Sequence, residues 1–564
     1  MRGLVPKPKI RLIPLTLAFG CIFWALLYFG SPGRSFNLPG EEFLHHRYPP
    51  PPRPHDHNPR PLPHTIWNTR AEQVKQAFLH AYRGYNEFAA SHDELLPVTN
   101  RFHDNFNGWG LTLIDALDTM WIMDLREEFY DALPLVANMT FVSTKAPFVP
   151  FFETVIRYLG GLLSAYALSN EPLLLTRADD LGKALLPAFN TTSGMPMFAV
   201  NTATGETRPG WAGGAVLWSE ALSCQMEYKY LARLTGRPQY YEKVEHVMNI
   251  MRDANVTDGM FPTRWAVANA IPINEQFSVG AFADSAHEYL LKQWLLSSRT
   301  ETKAKDLYMR VVNGILNHLL YLTPKRNLLY VTDITGKYVS HAFEHLSCFL
   351  PGLLALGAST LPLPQDEQRL HMWAAEGLAY TCWMTYADHA TGLGPDEMIM
   401  DEWRGDAHNG RWLPHVQDWL AEGSPGGVPP GLREGPPMPN GERDYFKRKD
   451  GYLLRPETIE SFYYLWRTTG NHKWRERGWA VFQAIEREAK TDSGYASLSS
   501  VEASPAGKKD EMPSFFMAET LKYLYLLFHE DEPIPLGHWV FNTEAHPLPI
   551  FEWADWEKAQ YGIP

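Results

Sequence analysis

Arg455, Glu457 and Glu460 stand together around one proline, in the run Leu454-Arg-Pro456-Glu457-Thr-Ile-Glu460-Ser461. Pro456 has the fixed φ that suits a first helical turn, and it lacks an N–H that would have no partner there. Glu457 and Glu460 are three apart, so they share a face near the positive end of a helix dipole. Such carboxylates are able to move protons or to hold a hard cation. One acidic helix start is also ordinary solvated chemistry, so its meaning depends on what else converges on it.

Comparable groups recur. Asp115 with Asp118, Glu153 with Arg157, Glu220 with Glu227, Asp284 with Glu288, Glu344 with His345, and Glu519 each fall early in an apolar helical run. Leu231-Ala-Arg233-Leu-Thr235-Gly236, then Tyr240, repeats as Leu465-Trp-Arg467-Thr-Thr469-Gly470, then Trp474, at one constant offset. Thr-Gly is C-cap chemistry and a second helix follows at once, which makes an αα-hairpin. Runs such as Leu159-Gly-Gly-Leu-Leu163 suit helices buried on most sides. Seven pairs at irregular spacing favour a closed toroid over an open solenoid, whose end repeats would need polar caps. Closure gathers the acidic helix starts around one pocket. A carboxylate-crowded, aromatic-lined pocket suits glycoside hydrolysis: one carboxylic acid protonates the leaving oxygen and one carboxylate activates water. Crowding keeps a proton on some carboxyls near neutral pH.

The chain has 564 residues, is 45% hydrophobic and carries a net charge of -13, with no basic block beyond its first residues. That argues against nucleic acid as a partner. Gly-x-Ser-x-Gly, phosphate-loop, His-Glu-x-x-His and EF-hand patterns are absent. Arg2, Lys7, Lys9 and Arg11 precede Leu12–Gly30, 19 residues without a charge. This reads as a cytosolic tail (1–11) and an uncleaved single-pass anchor (12–30) with the rest of the chain lumenal. Residues 31–66 are Pro-rich and read as an extended stem whose five histidines are solvated spacer. Residues 67–564 form the lumenal domain, with glycosylation acceptors at Asn138, Asn190 and Asn255. Of the four cysteines, Cys21 lies in the apolar run and Cys224 reads as a buried thiol. Cys348 and Cys382 flank one helix pair and could bridge in an oxidising compartment. The Gly/Pro-rich stretch 423–443 reads as a surface insertion.

Seven stretches in order carry a resemblance. They are Gly110-Leu-Thr-Leu-Ile-Asp115-Ala-Leu-Asp118-Thr119, Phe152-Glu153-Thr-Val-Ile-Arg157-Tyr-Leu-Gly-Gly161 and Ala283-Asp284-Ser-Ala-His-Glu288-Tyr-Leu-Leu-Lys-Gln293. Glu344-His345-Leu-Ser-Cys348-Phe-Leu-Pro351-Gly352 and the Leu454–Ser461 run follow, then Ser514-Phe515-Phe-Met-Ala-Glu519-Thr-Leu-Lys-Tyr-Leu-Tyr525 and Phe541-Asn-Thr543-Glu544-Ala-His546-Pro547. The chain resembles the class I α-1,2-mannosidases of glycoside hydrolase family 47, of the fungal-like endoplasmic reticulum/Golgi type.

The resemblance implies an all-α (α/α)7 barrel, calcium dependence and inversion at the mannose anomeric carbon. It implies Glu153 as general acid and Glu457 as general base, with Asp284 a third essential acid; the donor stays open between Glu153 and Asp284. Thr543 would bind Ca2+ through its hydroxyl and carbonyl oxygens. Glu227, Glu288, Glu460, Glu519 and Glu544 would hold the ion's waters or the sugar. Arg157 and Arg455 would orient carboxylates, Phe515 would pack on the terminal mannose, and His345 matches a pocket histidine. Cys348 and Cys382 match the family's disulfide. The implied substrates are high-mannose N-glycans on glycoproteins, handled at the endoplasmic reticulum or Golgi membrane. Phe282 stands where the endoplasmic reticulum type has Arg, which points to trimming of several mannoses, and Ala286-His287 replaces two aromatics. The alternative function is a catalytically weak glycan-binding protein of glycoprotein quality control. Intact Glu153, Asp284, Glu457 and Thr543 favour the enzyme. An inverting pair needs about 6.5–9.5 Å for its water. Glu457 and Glu460, on one helical turn about 5–6 Å apart at Cβ, do not leave that gap, so Glu460 is a support.

Overall fold

The computed structural model describes residues 64–142, 147–439 and 441–563. The expected tail (1–11), anchor (12–30) and stem up to residue 63 lie outside these residues. Every described residue belongs to one compact unit within Pro52–Pro564. Among the described residues no helix is long and apolar enough to cross a membrane.

Among the described residues the first helix is α1 (His64–Phe88), which takes in the expected boundary at Trp67. Pairs then follow along the chain. α2 (Leu111–Ile122) packs on α3 (Arg126–Asn138), and α4 (Gly160–Ser169) on α5 (Pro172–Leu185). α6 (Gln225–Thr235) packs on α7 (Pro238–Asp253), and α8 (Asp284–Leu296) on α9 (Thr302–His318). α10 (Leu350–Thr360) packs on α11 (Gln365–Ala387), and α12 (Glu457–Thr469) on α13 (Lys473–Glu488). Last, α14 (Leu521–Phe528) packs on α1, so the two ends of the described chain complete the seventh pair. The helices α2, α4, α6, α8, α10, α12 and α14 each touch the next, and the turn entering α14 touches α2. They close a ring.

Burial explains which member of each pair lies inside. α8 is buried without interruption from Ser285 to Leu296, whereas α7 buries a single stripe: Tyr240, Tyr241, Val244, Val247, Met248 and Met251. α8 has no solvent face, its polar residues Glu288 and Lys292 pairing with each other inside, whereas a striped helix keeps one face to water. The Thr-Gly ends behave as their composition dictates: Gly236 and Gly470 are left-handed, at φ 66° and 65°.

Several expectations are corrected. Pro456 is not the first helical residue of α12; it caps it, and its carbonyl accepts the Glu460 N–H at 2.9 Å. Asp115 and Asp118 lie inside α2 rather than at its mouth. Glu220 and Glu227 belong to two helices, Trp218–Leu222 and α6, separated at Ser223-Cys224. Glu344 ends a strand, and His345 caps the 3-10 turn Leu346–Phe349 that runs into α10, so the expected helix start is there one turn early. The all-α expectation omitted antiparallel strands of two to five residues in the connections. One sheet orders β1 (Ala342–Glu344), β2 (Glu397–Met400) and β3 (Tyr445–Lys449). A hairpin of β4 (Trp539–Phe541) and β5 (Pro547–Pro549) pairs Phe541 with Pro547. β4 touches α8 and β5 touches α4, so the hairpin reaches across the ring. Cys348 and Cys382 form a disulfide, and Cys224 is buried and free.

Candidate active site

The hairpin tip is held from several sides. Asn542 Nδ2 donates to the Ile156 carbonyl at 2.9 Å and to Glu227 Oε1 at 2.7 Å. Its Oδ1 accepts the N–H groups of Glu544 and His546, both at 2.9 Å. His546 sits between Asp118 (2.8 Å) and Asp115 (3.2 Å), and Lys522 Nζ donates to the Ala545 carbonyl at 2.6 Å. Asp115 and Asp118 therefore anchor the tip instead of lining a pocket. Gly160 makes the approach possible: a Cβ there would lie 2.6 Å from Asn542 Nδ2. Thr543, half-buried at the tip, donates to Glu288 Oε1 at 3.2 Å.

Carboxylates surround that threonine. Lys292 Nζ donates to Glu288 Oε2 at 2.5 Å and lies 3.8 Å from Glu460, which also accepts from Tyr523 at 3.4 Å. Two π-helical stretches shift side-chain register at the entrances to α4 and α14, a feature that recurs at functional sites. The first, Thr154–Leu159, carries Arg157, whose Nε donates to Glu153 at 2.8 Å and whose Nη1 donates to Glu544 at 2.7 Å. The second, Phe516–Thr520, carries Glu519. Phe515 stands between two guanidinium groups, its ring centroid 5.9 Å from both Arg157 and Arg455.

The expected base sits beyond. His345 Nδ1 lies 2.7 Å from Glu457 Oε2, and Arg455 Nη1 lies 3.8 Å from Oε1. The β-sheet positions both partners: the Asp396 backbone carbonyl accepts the His345 N–H at 2.9 Å, and the Asp396 side chain accepts from Arg455 Nε at 2.8 Å.

The two expected catalytic carboxyls on α8 and α12 are pushed in opposite directions. Burial raises the Glu457 carboxyl. The hydrogen bond from His345 and the Arg455 guanidinium outweigh burial and hold it below its ordinary value. Asp284 is pushed up to about 8, first by burial and then by the charges of Glu288, Glu344 and Glu457, despite an N–H from Ser285. Burial also lifts Glu227 and Glu544 to about 7. Burial and neighbouring carboxylates push Glu460 and Glu519 well above the usual range. This is the electrostatic mark of a pocket with more carboxylates than the cations Arg157, Lys292 and Arg455 neutralise.

Every site residue expected from the sequence except the disulfide pair thus joins one network around Thr543, Glu457 and Asp284. The sequence model of glycosyl hydrolase family 47 matches residues 77–550. The chain belongs to glycosyl hydrolase family 47.

Among its relatives, this family 47 chain is 40% identical over 491 residues to the endoplasmic reticulum mannosyl-oligosaccharide 1,2-alpha-mannosidase of Mus musculus, covering 86% of this chain and 68% of the relative. It is 34% identical to the mannosyl-oligosaccharide 1,2-alpha-mannosidase mans-2 of Caenorhabditis elegans, covering 85% and 76%. The solved alpha-1,2-mannosidase from Trichoderma reesei superposes with a TM-score of 0.75 at 30% identity, covering 86% of this chain and 99% of that one.

Sequence reasoning missed several site residues of the family 47 chain. Lys292 was legible, four residues after Glu288 on a helix with its Nζ aimed back at that carboxylate. Asn542, Asp396 and Tyr386 had no signal, because their partners lie far away in sequence. Two of the unusual positions around Asp284, one on each side of it, have packing surroundings of their own. His287 is buried, with Nε2 3.0 Å from the Ser278 carbonyl and its ring edge-on to Trp218. Phe282 is half-buried with its ring 5.7 Å from that of exposed Trp211.

Proposed function

We propose that the chain is an inverting, calcium-dependent exo-α-1,2-mannosidase that trims terminal mannoses from high-mannose N-glycans. The observation that carries the reading is the opposed surroundings of two carboxyls in one pocket: Glu457 lies 2.7 Å from His345 Nδ1 and 3.8 Å from Arg455, which hold its carboxyl below the ordinary range, while burial and the charges of Glu288, Glu344 and Glu457 push Asp284 up to about 8. A general base and a general acid need such opposed surroundings to act at the same pH. The relatives' names support the linkage and the substrate class.

In this reading Glu457 takes the proton of the attacking water through the carboxylate oxygen that His345 leaves free. Asp284 supplies the proton that the departing mannose oxygen needs. Glu153, paired with Arg157, supports that end of the site in preference to acting as the donor. Phe515 offers an apolar face to the terminal sugar, with Arg157 and Arg455 fixed on either side of it.

The pocket's residues fit a calcium ion. The donors are all oxygen, as calcium requires. Glu227 Oε2 is buried without a hydrogen-bond partner, and the carboxylates carry more negative charge than their cations balance. Among the described residues no three His, Cys, Asp or Glu side chains are grouped to ligate a metal directly. That suits an ion held by Thr543 itself, with Glu227, Glu288, Glu460, Glu519 and Glu544 acting through waters. Bound there, calcium would supply electrostatic stabilisation to the sugar's hydroxyls.

A lumenal address in the endoplasmic reticulum or Golgi, with the single-pass anchor at 12–30 and the stem at 31–66, belongs to the same proposal. It is supported by the Cys348–Cys382 disulfide, which needs an oxidising compartment, and by the exposure of Asn138, Asn190 and Asn255. The test is mannose release by the full chain from a high-mannose N-glycan, with calcium and with a chelator. Release that depends on calcium is expected, and no release in either condition overturns the reading in favour of a binding protein.

A further inference from the structure

We infer that Tyr386 is a positioning residue for the base: its hydroxyl fixes the tautomer of His345, and through it the orientation of the Glu457 carboxylate. The inference rests on the assignment of Glu457 as the base.

Three segments far apart in sequence meet at this point. His345 Nε2 lies 2.5 Å from the Tyr386 hydroxyl, and Nδ1 lies 2.7 Å from Glu457 Oε2. The His345 and Tyr386 side chains are buried. Burial also pushes the Tyr386 phenol well above its ordinary value, so it remains an O–H donor. A neutral imidazole has one N–H and one acceptor nitrogen. If Nε2 accepts from Tyr386, the N–H is on Nδ1 and points at Glu457. The Thr458 hydroxyl lies 3.3 Å from Nε2 and also bonds the Tyr386 phenol, so it braces the same pair. The Glu457 carboxylate is then held at Oε2, and Oε1 is left toward Arg455 and the water it must deprotonate. The opposite tautomer would turn the Nδ1 lone pair toward a carboxylate and release it.

The backbone keeps the three groups in register. Tyr386 stands one turn after Cys382 on α11, and the disulfide from Cys382 reaches Cys348, whose N–H donates to the His345 carbonyl at 2.9 Å. The Ser461 hydroxyl, one turn after Glu457 on α12, donates to the Cys348 carbonyl. The two helices and the His345 turn are thereby tied to each other beside the hydrogen-bond chain itself.

The groups that face Glu457 are His345 and Arg455, Asp284 from α8, Glu460 from its own helix, Glu519 from the turn into α14, and the Tyr386 and Tyr452 phenols. Removing the Tyr386 hydroxyl leaves all the other charges in place, so a change in the acid limb reports on the His345 bond.

The test compares the full chain with its Tyr386→Phe and Thr458→Val variants on an α-1,2-linked mannobiose across pH. For Tyr386→Phe the expected result is a fall in kcat of about 10- to 100-fold, as for other residues that orient a reacting group. KM should stay within about a factor of two. The acid limb of kcat/KM should move up by about one pH unit, because a carboxylate that loses a hydrogen bond is protonated more easily. Thr458→Val, which removes the longer contact, should show a smaller effect of the same kind. Wild-type kcat and an unmoved acid limb in Tyr386→Phe overturn the inference. A fall in kcat with the limb unmoved also overturns it, since that marks a packing role alone. Histidine-selective 15N spectra decide the tautomer without turnover: Nδ1–H in the wild type and its loss in Tyr386→Phe are expected, and an unchanged His345 signal contradicts the inference. If the wild type releases no mannose, the base assignment fails, and the spectra still report on the tautomer.

Discussion

At the scale of single residues, the site works by pushing similar carboxyls apart. Glu457 and Asp284 are both half-buried, and the loss of water around them raises both. The difference is the partner: Glu457 has His345 and Arg455 close by, and Asp284 accepts the backbone N–H of Ser285 while facing three carboxylates. Glu457→Gln keeps shape but removes the base, so kcat should fall by about 10²–10⁴-fold while glycan affinity measured by calorimetry stays close to wild type. In the proposed mechanism Asp284 donates only while protonated, so activity should fall as pH rises through about 8. Asp284→Asn should abolish that alkaline limb along with most of the activity, and an alkaline limb that survives in this variant would move the donor to another group.

At the scale of elements, the residues reach the site by three devices. Helix starts supply Asp284 and Glu457, π-helical stretches aim Arg157 and Glu519, and the β4–β5 hairpin delivers Thr543 from inside the ring. The hairpin depends on Gly160, where an added methyl would press against Asn542. Gly160→Ala should therefore cost about 1–3 kcal/mol in thermal or denaturant unfolding. It should also weaken stabilisation by calcium, because the tip that carries Thr543 is displaced. The helix pairing was legible in the sequence because it is local: apolar runs, Thr-Gly ends and acidic starts lie within a few turns of one another. The disulfide was legible through the motifs that carry the resemblance. The π stretches were not legible, since nothing in Thr154–Leu159 or Phe516–Thr520 separates them from α-helix before tertiary packing chooses. Nor was the anchoring work of Asp115 and Asp118, which looked like pocket residues until His546 and Lys522 were found between them and the hairpin. Pro456 was misplaced by one residue for an ordinary reason: a proline suits the cap as well as the first turn.

At the scale of the whole catalytic unit, the ring concentrates negative charge that its own cations do not balance. A bound divalent ion should therefore stabilise the fold. Calcium at 100-fold excess over its Kd is expected to add ~2.7 kcal/mol and raise Tm accordingly, and Thr543→Ala, which keeps only the carbonyl oxygen, should lose most of that gain. The insertion at 423–443 is largely on the surface as expected, but it is tethered: Glu434 pairs with Lys473 and Arg477, and the Gly435 N–H donates to Tyr380 at 2.7 Å. The central claim is that Glu457 activates a water which displaces the α-1,2-linked oxygen from the opposite face. Time-resolved proton NMR of the full chain acting on a high-mannose N-glycan with calcium tests it most directly. The account predicts β-mannose as the first product, mutarotating later to the α anomer; α-mannose as the first product would contradict it.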